Sequence, residues 1–245
     1  MVNVSAILFV IGVVGSLAFL IPIFVLKRNV VKSVVFSTVE KSSFKMEYTL
    51  ANLAASQLFN LAIRMDLFLL SFYGLKDQLG SYSISQKIIL SILTAVVSIT
   101  QVLSPDFSHI KTQRDARRMF KTALLYMSIP VLAYTLIIVT PDWLFSLAFT
   151  TKFADTAAIT KSLAIPYMVY SVGNIALLFM QYSVKKPKVV LGANVVFFVV
   201  MTTGCYFLIP QFGVFAPARV IMAALIGAVG VLSAASFYEY RKLPL

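Results

Sequence analysis

Residues 189–218, VVLGANVVFFVVMTTGCYFLIPQFGVFAPA, contain no Asp, Glu, Lys or Arg. Most of their side chains are apolar, and the run exceeds the ~20 residues that an α-helix needs to cross the hydrocarbon core of a bilayer. In hydrocarbon, a helix can satisfy all of its own backbone hydrogen bonds. The run therefore predicts membrane-spanning helix on both sides of PQFG at 210–213, which carries the signals of a turn.

Similar runs occur along the rest of the chain. Hydrophobic residues make up 60% of the sequence and charged residues only 12%, whereas a typical soluble domain is about 25% charged. One further run is interrupted only by Arg64 and Asp66. We therefore predict an all-α, polytopic membrane bundle of about seven spans. The spans are expected near residues 4–26, 48–73, 82–104, 121–141, 161–183, 189–209 and 214–238.

Most of the 21 Lys and Arg residues lie in alternate connections of this bundle. The connections after the first, third and fifth spans and the C-terminal tail are basic, whereas GLKDQLGSY, TKFADTA and PQFGVFAP carry little positive charge. Because basic loops stay cytoplasmic, we expect a multi-pass protein of the cytoplasmic membrane with its N-terminus outside and its C-terminus inside. The net charge of +12 then reflects topology and contact with anionic lipid heads, and nucleic acid is not an expected partner.

Two of the basic connections are expected to lie on the cytoplasmic surface. The first covers residues 31–46, and the second, DFSHIKTQRDARRMFK at 106–121, links the third and fourth spans. His109 falls in the second, where we expect a solvated loop residue. His109 and Cys205 are single residues of their types, which excludes disulfide frameworks and Cys-rich metal sites. No metal or cofactor is expected.

Polar residues recur at helical spacing inside three of the spans. Residues four apart lie on one helix face, so the second span carries a stripe of Asn52, Ser56, Asn60 and Arg64. Such stripes usually pack helices together through small residues and hydrogen bonds. Because two of the stripes contain a full cation, we instead predict a wet internal surface. Its polar lining is expected from Asn60, Ser91, Thr94, Gln101 and Asn174.

Four charged residues are predicted to share one layer of the outer half of the bundle. Charges at membrane depth usually face a bundle interior or a water-filled cavity. Arg64, Lys87 and Arg219 outnumber Asp66 in this layer, which leaves it net positive. Such a layer suits an anion such as a phosphate or diphosphate, which an arginine binds bidentately. We therefore predict Arg64, Lys87 and Arg219 as cations of the cavity.

Asp66 cannot share a helix face with Arg64, because two residues correspond to about 200° of rotation. We expect it to pair across the hairpin with Lys87, or with another helix; if Lys87 is the partner, Asp66→Asn destabilises the bundle. A structural ion pair and an ion- or proton-coupling carboxylate both remain open.

Several motifs, in their order and spacing, resemble the polysaccharide flippase family. RMD at 64–66 resembles an Arg-x-Asp motif in the family's seventh helix, and GLKDQLGSYSISQKI resembles the turn and helix that follow it. QVLSPDFSHI, KKPKVVLGANVV and LIPQFGVFAPARV are similar to later elements of the family. This resemblance covers roughly residues 46–240. That family belongs to the same superfamily as the lipid II flippases and the multidrug and toxin extrusion transporters.

The resemblance implies a two-lobed transporter of which this chain carries the second lobe. Residues 1–30 would match the family's sixth helix, 31–46 a cytoplasmic linker, and 47–240 the six-helix C-terminal lobe. The implied function is translocation of an undecaprenyl-diphosphate-type, lipid-linked oligosaccharide across the cytoplasmic membrane for cell-surface polysaccharide biosynthesis. The implied partners are that substrate, membrane lipids, and a first lobe or second membrane subunit.

Three other functions are weighed against this one. An ion-coupled exporter of small cations would need acidic residues in its cavity, which the positive layer disfavours. A membrane enzyme such as a lipid-sugar transferase normally needs paired carboxylates or a metal, whereas the nine acidic residues here are scattered. We therefore do not expect an enzyme. A non-transporting subunit that packs against another membrane protein stays open.

Overall fold

The computed structural model describes residues 46–148 and 155–244. This part of the chain is helical and contains no strand, which confirms the all-α prediction for the described residues. The expected first span at 4–26, and the linker at 31–46 except for its last residue, lie outside them. The helices are α1 Met46–Phe72, α2 Lys76–Ser108, α3 Gln113–Val139, α4 Asp142–Ala148, α5 Thr156–Leu178, α6 Pro187–Phe212 and α7 Ala216–Tyr240.

Five helical stretches are long and apolar enough to cross a membrane. Four of them correspond to α1, α2, α3 and α5, and α5 is extended in this count by a π-helical turn, Phe179–Ser183. The fifth, Pro187–Tyr240, contains both α6 and α7, which meet at the short 3-10 turn Gly213–Phe215. The protein is thus suited to a membrane.

The expected interfacial element at 106–121 is wrong. Helix α2 continues to Ser108, and α3 begins at Gln113, so most of the basic segment forms the first turns of α3. A capping box fixes this start: the Thr112 hydroxyl accepts from the Asp115 backbone N–H, and the Asp115 carboxylate accepts from the Thr112 N–H, both at 3.1 Å. These two bonds satisfy donors that a helix N-terminus leaves free, so the helix starts early and extends beyond its apolar span.

Helix α5 lies at the centre of the described bundle. It packs against α2, α3 and α7, and α6 joins α7 to α1 on the other side. In the most apolar 18-residue stretch of α5, 56% of the residues are buried, compared with 22% in the corresponding stretches of α2 and α3. The largest fully buried side chains of the core are Tyr82, Tyr134, Phe107, Phe179 and Phe197.

Helix termini rich in Lys and Arg meet at one end of the bundle, which we call the basic end. It contains Lys111, Arg114, Arg117, Arg118, Lys121, Lys185, Lys186, Lys188, Arg241 and Lys242. Here the Gln113 N–H donates to the Pro244 carbonyl at 2.8 Å, and Lys186 pairs with Glu239 at 3.0 Å. The Ser183 hydroxyl donates to the Phe107 carbonyl at 2.6 Å. The first two bonds join the starts of α3 and α6 to the end of α7 and the residues after it, and the third joins the π-helical turn after α5 to the end of α2.

Candidate functional site: a polar groove between two helices

A groove of about 250 Å³ opens between α1 and α2 and has α5 and α6 as its floor. We call it the polar groove. Besides Tyr170 and Tyr182, its polar lining consists of Asn52, Ser56, Thr100, Gln101, Asn174, Gln181 and Asn194. Two of the residues predicted for the cavity, Gln101 and Asn174, thus lie together. Amide and hydroxyl groups of this kind can both donate and accept hydrogen bonds, as a sugar or a chain of water molecules requires.

Some of these polar groups hold the walls of the groove in place. The Asn174 side-chain amide donates to the Thr100 hydroxyl and joins α5 to α2. The Asn194 amide donates to the Ala55 carbonyl at 3.0 Å and joins α6 to α1. The side-chain oxygen of Asn52 is buried and has no hydrogen-bond partner among the described residues. A buried acceptor left unpaired is costly, so Asn52 gives the groove an acceptor for a ligand hydroxyl or a water molecule.

The polar stripes continue along α1 and α2 beyond the groove. Asn60 and Arg64 follow Ser56 at four-residue spacing, and both are exposed. On α2, Ser91 and Thr94 are exposed and do not line the groove. Their hydroxyls donate to backbone carbonyls four residues earlier, at 2.8 and 3.0 Å, and keep acceptor capacity for a ligand or water. The predicted lining therefore divides between the groove and the surface that extends from it.

Arg64 and Lys87 lie at the same level of the bundle. The Gln86 side-chain amide donates to the Ile63 carbonyl at 3.1 Å. Lys87 and Arg64 are the next residues along the chain, so they lie at a similar height along the bundle axis. Both are exposed, and neither forms a salt bridge within the described part of the chain. Counted along the helix axes, Arg64 lies about 12 Å from the end of α1 and Lys87 about 17 Å from the start of α2. Two cations are therefore exposed well inside membrane-length helices.

Asp66 is fully buried and joins α1 to α2 at the end opposite the basic end. Its Oδ2 accepts from the Tyr82 hydroxyl at 2.5 Å and from the Gln86 amide at 2.8 Å. We call these three residues the Asp66 cluster. Helix α1 otherwise packs mainly on α6, so the cluster holds α1 and α2 together at one end while the polar groove separates them nearer the other.

The expected pairing of Asp66 with Lys87 is not formed. Tyr82 and Gln86 are four residues apart and turn the same face of α2 towards α1. Lys87 is one residue further, about 100° around the helix, and is exposed. The carboxylate buried in this hairpin is therefore held by neutral hydrogen-bond donors and not by a cation.

Arg219 lies near the start of α7 and has an aromatic neighbour. Its guanidinium lies 4.2 Å from the centre of the Phe212 ring, across the turn between α6 and α7. A cation–π contact of this kind stabilises an arginine without an anion. Arg219, like Arg64 and Lys87, does not line the polar groove, and the three-cation layer stays a prediction.

Sequence reasoning missed several residues of the site. Thr100 and Asn194 line the groove, and Tyr82 and Gln86 hold Asp66. Asn194 could have been found as the one amide side chain near the start of the long uncharged run. The four-residue spacing of Tyr82 and Gln86 indicates two hydrogen-bond donors on one face of α2. Their acceptor, Asp66, could not be predicted, because it depends on how α1 is positioned along α2.

Comparisons with protein-family models, with curated proteins and with solved structures find no match to the chain. They give no support to the resemblance to flippases. The roles expected for the site residues therefore rest on the residues themselves and on the geometry described above.

Proposed function

We propose that this bundle forms one wall of a membrane translocation pathway for a lipid-linked oligosaccharide with a diphosphate head group. The observation that carries the proposal is the pair of exposed polar stripes on α1 and α2, with Arg64 and Lys87 at one level. Lipid tails cannot solvate these cations, and charged residues at such depth normally face water or protein. The stripes therefore need a second surface opposite them.

The chemistry of the wall suits an anionic, sugar-bearing substrate. Arg64 and Lys87 would bind the phosphates, with the planar guanidinium of Arg64 able to make two parallel hydrogen bonds. Amide and hydroxyl groups of Asn60, Ser91, Thr94 and the polar groove would bind sugar hydroxyls. The apolar remainder of the surface would stay in contact with the polyprenyl tail. A second bundle, as a first lobe or a separate subunit, would close the pathway.

In this account the basic end faces the cytoplasm, because basic segments are retained there. The polar groove lies nearer that end, and the Asp66 cluster lies nearer the outer surface. Movement of α1 against α2 about the cluster would open or narrow the groove. Such motion of packed helices around a fixed site is how many transporters alternate access.

The test is binding of a lipid-linked diphosphate oligosaccharide by the purified full chain, followed by transport in vesicles together with its membrane partner. We expect Arg64→Gln and Lys87→Gln each to weaken binding roughly 10- to 150-fold, because each removes a hydrogen bond to a charged group, worth about 1.5–3 kcal/mol. Arg64→Lys should lose part of the affinity, since the charge stays and the planar fork is lost.

Arg219→Gln is the matched control, since it removes the same charge from a residue that belongs to α7 and not to the stripes on α1 and α2, and whose guanidinium lies against Phe212. Its binding should stay within about threefold of the native protein, a change of well under 1 kcal/mol. Equal losses in all three glutamine variants would indicate a general effect of net charge and would contradict the proposed site. Unchanged binding in Arg64→Gln and Lys87→Gln would leave a non-transporting, packing role for the stripes.

A further inference from the structure

A second groove, apolar and larger, lies between α3 and α7 on a different face of α5. Its volume is about 880 Å³. We call it the apolar groove, and its walls include Leu124, Val131, Met168, Val172, Val229 and Phe237. Helices α3 and α7 both pack on α5 but make no extended contact with each other, so the groove opens sideways.

The two grooves use different residues of the same central helix. Tyr170 and Asn174 line the polar groove, whereas Met168 and Val172 line the apolar groove. Residues two apart are rotated by about 200° on a helix, so the grooves lie on broadly opposite faces of α5. The apolar groove therefore lies on a different side of the described bundle from the polar groove.

Charge is confined to one end of the apolar groove. Arg117 and Lys121 line it, four residues apart on α3 in the basic end. Ser233, Ser236 and Tyr240 of α7 supply the remaining polar groups of the lining, which contains no acidic side chain. Counted from the start of α3, Arg117 lies about 6 Å and Lys121 about 12 Å along the helix, a range of depth where long basic side chains reach lipid head groups.

We propose that the apolar groove binds one anionic glycerophospholipid, with an acyl chain along α5 and its phosphate between Arg117 and Lys121. Hydrocarbon in the groove gains little over hydrocarbon in the bilayer, because lipid tails are as apolar as the groove walls. The acyl chain therefore fills the groove without adding much affinity, and Arg117 and Lys121 give the preference for an anionic head group. The site is separate from the proposed translocation pathway and does not depend on it.

The experiment compares phosphatidylglycerol with phosphatidylcholine of the same acyl chains, bound to the purified, delipidated full chain in detergent. Bound lipid per protein is measured by native mass spectrometry. We expect the native protein to prefer phosphatidylglycerol. The double variant Arg117→Gln/Lys121→Gln should lose roughly 25-fold in affinity for it, since each basic residue near a membrane surface contributes about a fivefold preference for anionic lipid.

Arg114→Gln/Arg118→Gln is the matched control, because it removes the same charge from exposed residues of α3 that do not line the groove. It should keep the preference for phosphatidylglycerol. A third variant, Val172→Trp, fills the groove and should reduce binding of both lipids. If a double variant fails to fold, Lys121→Gln alone should still lose about fivefold.

Equal losses in the two double variants, or no preference in the native protein, would overturn the proposal. Unchanged lipid binding in Val172→Trp would also overturn it and would indicate that the groove holds a segment of protein instead. Glycerol phosphate at the same concentration should not displace the lipid, because it lacks the acyl chain; efficient displacement would contradict an occupant held in the groove.

Discussion

Asp66 is fully buried, and its carboxylate accepts hydrogen bonds from Tyr82 and Gln86 of the neighbouring helix. No salt bridge to Asp66 forms among the described residues. Both donors reach the same oxygen, Oδ2. What α2 requires at this position is therefore an acceptor, and a neutral amide oxygen can meet that requirement.

We predict that Asp66→Asn lowers the free energy of unfolding by about 1–2 kcal/mol. Its carbonyl oxygen can still accept from Tyr82 and Gln86, but its NH2 group then faces the Leu67 backbone N–H, which donates to the Asp66 Oδ1 at 2.6 Å. Asp66→Ala should cost roughly 2–4 kcal/mol, since it strands the Tyr82 hydroxyl and the Gln86 amide in the core. The measurement is unfolding of the full chain in detergent by added dodecyl sulfate, followed by helix content.

Asp106→Asn serves as the control, since Asp106 is exposed near the end of α2. A loss in Asp66→Asn as large as that in Asp66→Ala would contradict this prediction and would show that the negative charge itself is needed.

At the scale of elements, glycine sets how closely the helices approach each other. A Cβ atom at Gly173 of α5 would lie 2.4 Å from a methyl carbon of Val229 on α7, and one at Gly204 of α6 would lie 2.6 Å from a methyl carbon of Val220. Small residues at helix contacts are the usual means of close packing in membranes. These contacts hold α5, α6 and α7 together behind the polar groove.

We expect Gly173→Ala to destabilise the bundle by about 1–3 kcal/mol, because the branched Val229 side chain has little freedom to move away. Gly230→Ala, where nothing lies within 4 Å of the added atom, should be neutral or stabilising by up to ~1 kcal/mol. Adding Val229→Ala to Gly173→Ala should recover part of the loss in the same unfolding assay. Equal effects of the two alanine variants would contradict the close contact.

The elements themselves could be predicted from the sequence, whereas their ends and partners could not. Uncharged runs predicted the helices because length and hydropathy decide them in a bilayer. The start of α3 was missed because a capping box, not hydropathy, fixes it. The Asp66 cluster and the contact of Arg219 with Phe212 were missed because each depends on the contact between one helix and the next. The stripe that begins at Asn52 could be predicted, because its four-residue spacing depends only on the periodicity of an α-helix.

At the scale of the whole molecule, the described bundle has two unlike grooves, one polar between α1 and α2 and one apolar between α3 and α7. Several long apolar residues on the outside are exposed, as expected for a surface in contact with lipid; Leu125, for example, is 72% exposed. The exposed Arg64 and Lys87 do not fit such a surface. We therefore expect the face formed by α1 and α2 to be in contact with water.

Cysteine accessibility in the intact membrane tests this claim most directly. Cys205 is the single native cysteine and is buried, so the background is low. Cysteines introduced at Asn60 and Ser91 should react quickly with a charged maleimide, because thiolates form and react in water. Cysteines at Leu61 and Leu125, which are exposed but apolar positions, should react at least about tenfold more slowly in lipid. Equal, slow reaction at all four positions would show that the stripes face lipid or dry protein and would contradict the proposed pathway.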